Sequence, residues 1–162
     1  MEIKKVFTET VPAGRLIGKR YTDEDKVGGS FGAKWGEFMQ RGWFAALEQA
    51  GGKVEFDYVA IMRMNEGEFE YWIGMFFDKN ANVPEGFESI DTEEFEAAVF
   101  WIYGNAENGE IYCQEDACLA EMNKRGWRKK QDGWEIERYN CPRFTGPDDA
   151  GNVILDYYIQ IS

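Results

Sequence analysis

Apolar and polar positions alternate along Glu2–Glu9 and again along Arg15–Tyr21, the two-residue period of strands with one buried face. Pro12-Ala13-Gly14 separates them. Gly28-Gly29-Ser30 then leads into Phe31–Gln49, where Phe31, Trp35, Phe38, Met39, Gly42 and Ala46 recur at helical spacing. Ser30 is the expected N-cap of this helix, and Gly51-Gly52 its end. Tyr58–Asn65 and Glu68–Phe77 follow as strands, with the hairpin signal Glu66-Gly67 between them. The second half runs in the same order. A short strand over Glu88–Asp91 precedes a longer one over Phe95–Tyr103, and Ile111–Arg125 reads as a helix with Cys118, Leu119 and Met122 inward. Trp134–Asn140 and Val153–Ile161 close the chain as strands, joined by a looser Cys141–Gly151 segment containing Pro142 and Pro147.

Each half therefore carries one helix and about four strands, too little to bury both faces of its own sheet. The expected fold is α+β: duplicated strand–helix–strand–strand units forming an eight-stranded antiparallel sheet, with two helices packed on it and a pocket between. The 162 residues suit a single domain, with pseudo-repeats at about 1–80 and 81–162. Identity between the halves is negligible. Met39…Gly42-Trp43 echoes Met122…Gly126-Trp127 only after a one-residue shift.

Charge narrows the function. The chain carries 30 acidic and 18 basic side chains, a net −12, and no histidine. Ser-His-Asp, Cys-His and His-metal chemistries are thereby excluded within one chain. A strongly acidic chain is also unsuited to wrapping phosphate backbones, so no direct DNA binding is expected. The N-terminus lacks the apolar core of a signal peptide, and no run approaches the ~20 apolar residues of a membrane helix. Cys113, Cys118 and Cys141 show no C-x-x-C spacing and read as free thiols of a reducing, cytoplasmic compartment. No metal and no cofactor is expected. Eleven acids, Glu85 to Glu121, fall between Lys79 and Lys124 without one basic residue. They make a solvated face or a field that concentrates cations. The basic cluster Lys124, Arg125, Arg128, Lys129 and Lys130 follows the second helix and complements its dipole.

Two features carry candidate chemistry. Six Trp, eight Tyr and twelve Phe exceed the needs of a one-sided core. Trp72 and Phe76 share one face of their strand, whereas Phe69, Tyr71, Ile73, Met75 and Phe77 share the other. Such rings either enrich the sheet or line an apolar cavity. The second feature is Trp134-Glu135-Ile136-Glu137-Arg138-Tyr139, whose period places Glu135, Glu137 and Tyr139 on one face. On a solvent face this is an ordinary amphipathic strand. Facing aromatic rings, Glu137 becomes a desolvated carboxylate that a lipophilic cation would satisfy. Glu135 and Glu137 stand about 6.6–6.8 Å apart along the strand, near the inverting-glycosidase separation, yet same-strand neighbours do not straddle a sugar ring. Gly28–Gly32 before a helix lacks the spacing of a phosphate-binding loop and reads as a connection.

The duplicated layout, the W-E-I-E-R-Y motif, the proline-containing loop after it and the final D-Y-Y-I-Q-I together resemble a GyrI-like small-molecule-binding domain. This is the effector-binding module of AraC- and MerR-type multidrug-sensing regulators. The chain is similar above all to the stand-alone and integron-cassette members, which lack a DNA-binding domain. The resemblance spans essentially the whole chain and implies a pocket between sheet and helices. There a glutamate two residues before a tyrosine meets the positive charge of the ligand. The matching residues are Glu137 and Tyr139. Where the family continues with aspartate and proline, this chain has Asn140-Cys141-Pro142, which bears on the loop rather than on the glutamate. Further pocket candidates, by pattern, are Trp101 and Tyr103 on one strand, Tyr71 on the first-half hairpin, and Trp35, Phe38 and Met39 on the first helix.

The resemblance implies a stand-alone binder of lipophilic, cationic or planar aromatic small molecules, used in sensing or sequestering a drug or effector. Two alternatives stay open at this stage. One is a hydrolase of cyclopropane-bearing DNA-alkylating natural products, with Glu137 as the catalytic base that activates water. The other is an acidic protein-interaction module, for example a modulator of gyrase, acting through the Glu85–Glu121 run.

Overall fold

Eight strands and four α-helices give the expected α+β class in the computed structural model, which describes residues 1–54, 56–139 and 141–162. The elements are β1 (Glu2–Val11), β2 (Gly14–Tyr21), α1 (Gly32–Gln40), α2 (Trp43–Glu48), β3 (Tyr58–Asn65), β4 (Glu68–Phe77), β5 (Glu88–Thr92), β6 (Phe95–Asn105), α3 (Glu115–Lys124), β7 (Glu135–Tyr139), α4 (Pro142–Thr145) and β8 (Asn152–Gln160). Asn140, which the pattern places at the end of a strand and in the loop that departs from the family, lies outside the described residues.

The chain divides into two compact units. Met1–Val11 joins Phe95–Ser162, because β1 pairs with β6; Pro12–Glu94 forms the other unit, because β5 pairs with β2. In the first unit the strand order is β1-β6-β8-β7, and in the second it is β3-β4-β2-β5. Within each unit these strand pairings are antiparallel. Each unit thus repeats the same arrangement, with one edge strand drawn from the start of the other half-sequence.

Similar pairings recur in the two units. On the β3–β4 pair Met62 faces Tyr71 and Arg63 faces Glu70; on the β7–β8 pair Glu137 faces Tyr157 and Arg138 faces Asp156. Arg41-Gly42-Trp43 after α1 matches Arg125-Gly126-Trp127 after α3. Both glycines are left-handed (φ 67° and 73°), and both arginines stack on the following indole, at 5.5 and 5.7 Å. This tripeptide accounts for the echo and its shift.

Three expectations need correction. The single helix over Phe31–Gln49 is two, because Gly42 takes the left-handed conformation of a helix C-terminus and α2 starts afresh behind it. Substituting Gly42 by Ala is expected to lower stability by about 1–2 kcal/mol in chemical denaturation, the cost of left-handed backbone for an L-residue. Phe31, not Ser30, occupies the N-cap, while the Ser30 hydroxyl accepts from the Gly32 amide at 3.3 Å. The helix expected from Ile111 begins at Glu115. Upstream, Glu110 accepts from the Asn105 amide at 2.7 Å, and Asn105 and Asn108 bond nearby amides at 3.0 Å, holding 105–114 in turns that compete with helix. The loose segment after β7 contains the one-turn α4, which Pro142 starts from the position where its missing N–H is harmless.

In the first unit α3 packs on one sheet face. Cys118 and Met122 meet Ala98, Phe100 and Ile102 of β6 and Leu155, Tyr157 and Ile159 of β8, all buried.

Candidate functional site

Glu137 lies directly opposite Tyr157 across the β7–β8 ladder, so its side chain is on the face that α3 covers. Tyr139, two residues on, packs against the same core and donates its hydroxyl to Glu137 Oε2 at 2.6 Å. Burial raises the Glu137 carboxyl above the ordinary carboxylate range; the Tyr139 hydrogen bond opposes this and the charge of Glu135 adds to it. The side chain is nevertheless not sealed, because part of its surface stays accessible. Among the described residues, no lysine or arginine forms an ion pair with Glu137.

Tyrosines gather round this carboxylate. Tyr112, from the loop before α3, packs on the same core, and its hydroxyl pKa is raised by burial and then by the Glu137 charge. Tyr157 is driven further up, by burial first and by Glu135, to which it donates a hydrogen bond. Phe144 of α4 meets Tyr139 edge to face, with centroids 4.9 Å apart. Glu135, on the same β7 face, is buried but compensated: Lys129 Nζ lies 2.9 Å from its Oε2 and also pairs with Glu115. Burial pushes the Cys118 thiol up to about 12, so it is an inert core thiol. Among the described residues no group of three or more cysteine or carboxylate side chains is placed to hold a metal ion.

The other candidates divide. Trp101 pairs with Asp156 and Tyr103 with Ile154, which puts both on the sheet face opposite Glu137. There Trp101 lies between Lys5, 4.7 Å from the ring, and Arg143, 4.6 Å away, while Arg143 pairs with the buried Asp156 at 2.6 Å. Tyr103 donates to Asp148. Neither shares a sheet face with Glu137. In the Pro12–Glu94 unit, Trp35 Nε1 donates to the Tyr71 hydroxyl at 2.9 Å, and Phe31 stacks on Tyr71 at 4.0 Å. Phe38 is fully buried against Phe44. Met39, expected on the inward helix face, is 57% exposed, because it sits a full 100° round the helix from Phe38.

Comparing the repeats isolates what is special about Glu137. In the Pro12–Glu94 unit the corresponding face of β3, opposite Tyr71 and Ile73, carries Ala60 and Met62 and no carboxylate. In the Pro12–Glu94 unit the rings of Phe31, Trp35, Phe38 and Phe44, from α1, its N-cap and α2, pack over the equivalent ground. Helix α3, EDACLAEMNK, contributes no ring at all. One unit is filled by its own aromatics; the other presents a carboxylate on the face covered by a helix without rings.

Sequence reasoning missed Tyr112, Tyr157 and Lys129. Tyr112 was hidden in an over-long helix. Tyr157 stood in D-Y-Y-I-Q-I, but its face depends on register with β7. Lys129 was assigned to the helix dipole, whereas only Lys124 and Arg125 sit at the helix end, both paired with Glu121. A cavity of about 490 Å³ between the turn at Gly51-Gly52 and residues 78–84 contains none of the candidates.

No family model matches the chain, and no curated protein matches it. Solved structures do. SAV2435, solved bound to tetraphenylphosphonium, has a TM-score of 0.74 at 13% identity, over 98% of this chain and 94% of that one. The EcmrR C-terminal domain gives 0.62 at 8%, over 98% and 97%. The integron cassette protein VCH_CASS2 of Vibrio cholerae gives 0.52 at 10%, over 99% and 97%. The chain has the fold of GyrI-like effector-binding domains. At these identities the likeness establishes fold. It also matches the resemblance carried by W-E-I-E-R-Y.

Proposed function

We propose that this GyrI-fold protein binds lipophilic small molecules, cationic or planar aromatic, between α3 and the β7–β8 face, with Glu137 as the charge partner. The observation that carries this is a carboxylate held among tyrosines, desolvated enough to raise its pKa, with a phenol rather than a cation beside it. A delocalised cation supplies the missing charge without a large desolvation cost of its own. Each ring face adds about 0.5–2 kcal/mol. Apolar contact supplies the rest at about 25 cal/mol per Å², with little discrimination of shape. SAV2435, of the same fold, was solved with such a cation.

The acidic-surface alternative loses ground. Asp91, Glu93, Glu110, Glu115 and Glu121 pair with Arg15, Lys79, the N-terminus, Lys129 and Lys124, so the run is not one uncompensated field. No helix among the described residues is long and apolar enough to cross a membrane.

Thermal-shift titration with tetraphenylphosphonium and with neutral triphenylphosphine oxide tests the proposal, the samples being analysed afterwards by mass spectrometry. Cation-dependent stabilisation that Glu137→Gln loses, with the ligand recovered intact, supports the binder. A cyclopropane-bearing alkylator hydrolysed by wild type and spared by the variant would make Glu137 a catalytic base instead. No shift with either compound rejects the site.

A further inference from the structure

Two carboxylates, not one, lie on the α3-covered face of β7. Glu135 and Glu137 are next-but-one neighbours, about 6.6–6.8 Å apart along the strand, and each accepts a tyrosine hydroxyl, from Tyr157 and Tyr139 respectively. What distinguishes them is Lys129. It comes from the segment after α3, where a backbone bridge to Ile161 fixes it beside the sheet. Its ammonium lies 2.9 Å from Glu135 Oε2 and also reaches Glu115, at the start of α3. Glu115 is largely in solvent, with 42% of its side chain accessible, and its field is screened. Glu135 is not: 12% of its side chain is accessible. Lys129 therefore offsets much of the neighbouring carboxylate charge that adds to that of Glu137.

We infer that Lys129 sets the valence of the ligand: by neutralising Glu135 it leaves a single negative centre and makes the site selective for monocations over dications. This rests on the binding site proposed above. A dication brings a second charge that must be stripped of water, and the described residues of the site offer no second uncompensated carboxylate to receive it. Without the lysine ammonium, Glu135 and Glu137 become a pair spaced for two positive centres. Lys129 acts through Glu135 and is a positioning and specificity residue, distinct from the ligand-contacting Glu137.

Calorimetric titration of the full chain with tetraphenylphosphonium and with a bipyridinium dication tests this, in wild type, Lys129→Met, Lys129→Arg and the double variant Lys129→Met/Glu135→Gln. Wild type and Lys129→Arg should favour the monocation. In Lys129→Met the dication-to-monocation affinity ratio should rise on the order of tenfold, as expected for one added charge a few ångströms away in a partly screened site. The double variant should return to the wild-type ratio, which also shows that the change is electrostatic and not a loss of folding. An unchanged ratio in Lys129→Met, while wild type still binds tetraphenylphosphonium, overturns the inference and leaves the binding site standing. A wild type that binds neither compound overturns both.

Discussion

Glu137→Gln is expected to weaken tetraphenylphosphonium binding by about 1–3 kcal/mol, roughly 5- to 150-fold, while neutral triphenylphosphine oxide stays within about twofold. The amide keeps the shape and can still accept from Tyr139, so only the charge is lost. The same substitution should raise the melting temperature of the ligand-free protein near neutral pH. The sign follows from linkage. Burial raises the Glu137 carboxyl in the folded state, so between the ordinary carboxylate value and the raised one the folded chain holds a proton that the unfolded chain has released. Wild-type stability from this group is greatest in acid and falls as pH rises from the ordinary carboxylate value through the raised one. The variant escapes that loss. Cation affinity runs the other way, rising with pH across the same window, because only the ionised carboxylate attracts the ligand. Binding within the window releases a proton, seen as a dependence of the calorimetric heat on the ionisation enthalpy of the buffer.

Glu70 shows what a structural carboxylate looks like in the same chain. It is 2% exposed and accepts from Trp72 Nε1 at 2.7 Å, Arg63 at 3.1 Å and Asn65 at 3.3 Å, with Arg20 3.7 Å away. Burial alone would raise its pKa. The Trp72 and Arg63 hydrogen bonds, with the charges of Arg63 and Arg20, outweigh burial and hold it below the ordinary value. Glu70→Ala strands the buried indole N–H and removes the acceptor of several donors. Urea denaturation should show a loss of about 2–4 kcal/mol, below the extreme for a buried pair because both arginines are partly in solvent. The Glu70 contribution is present at neutral pH and disappears as pH falls through its lowered pKa, opposite in sign to that of Glu137. Cation affinity of the folded variant should not change, since Glu70 lies on the face of β4 away from Tyr71. A large affinity loss in Glu70→Ala, with none in Glu137→Gln, would exchange the roles assigned to the two carboxylates.

Local pattern was enough to read the strands, because alternation is a property of neighbouring residues. β3 and β4 begin and end where the periodicity places them. It was also enough to put Glu135, Glu137 and Tyr139 on one face. It failed where long-range register decides. Trp101 and Tyr103 looked equivalent to any other strand aromatics until pairing with Asp156 and Ile154 set them on the far face. The exchange of β1 and β5 between the half-sequences leaves no local trace, since edge pairing is chosen by tertiary contacts. Phe38 and Met39 are adjacent in sequence, and only the packing of α1 decides which turns inward. Lys129 was misread for the same reason: a basic residue beyond a helix looks like a dipole partner until a buried carboxylate is found beside it.

A structure of the protein with tetraphenylphosphonium bound tests the account most directly. The account predicts the cation between α3 and the β7–β8 face, its charge centre against Glu137 and its rings on Tyr112, Tyr139 and Tyr157. Density for the cation beside Trp101 on the opposite face, or in the cavity at residues 78–84, with Glu137 untouched, would contradict it.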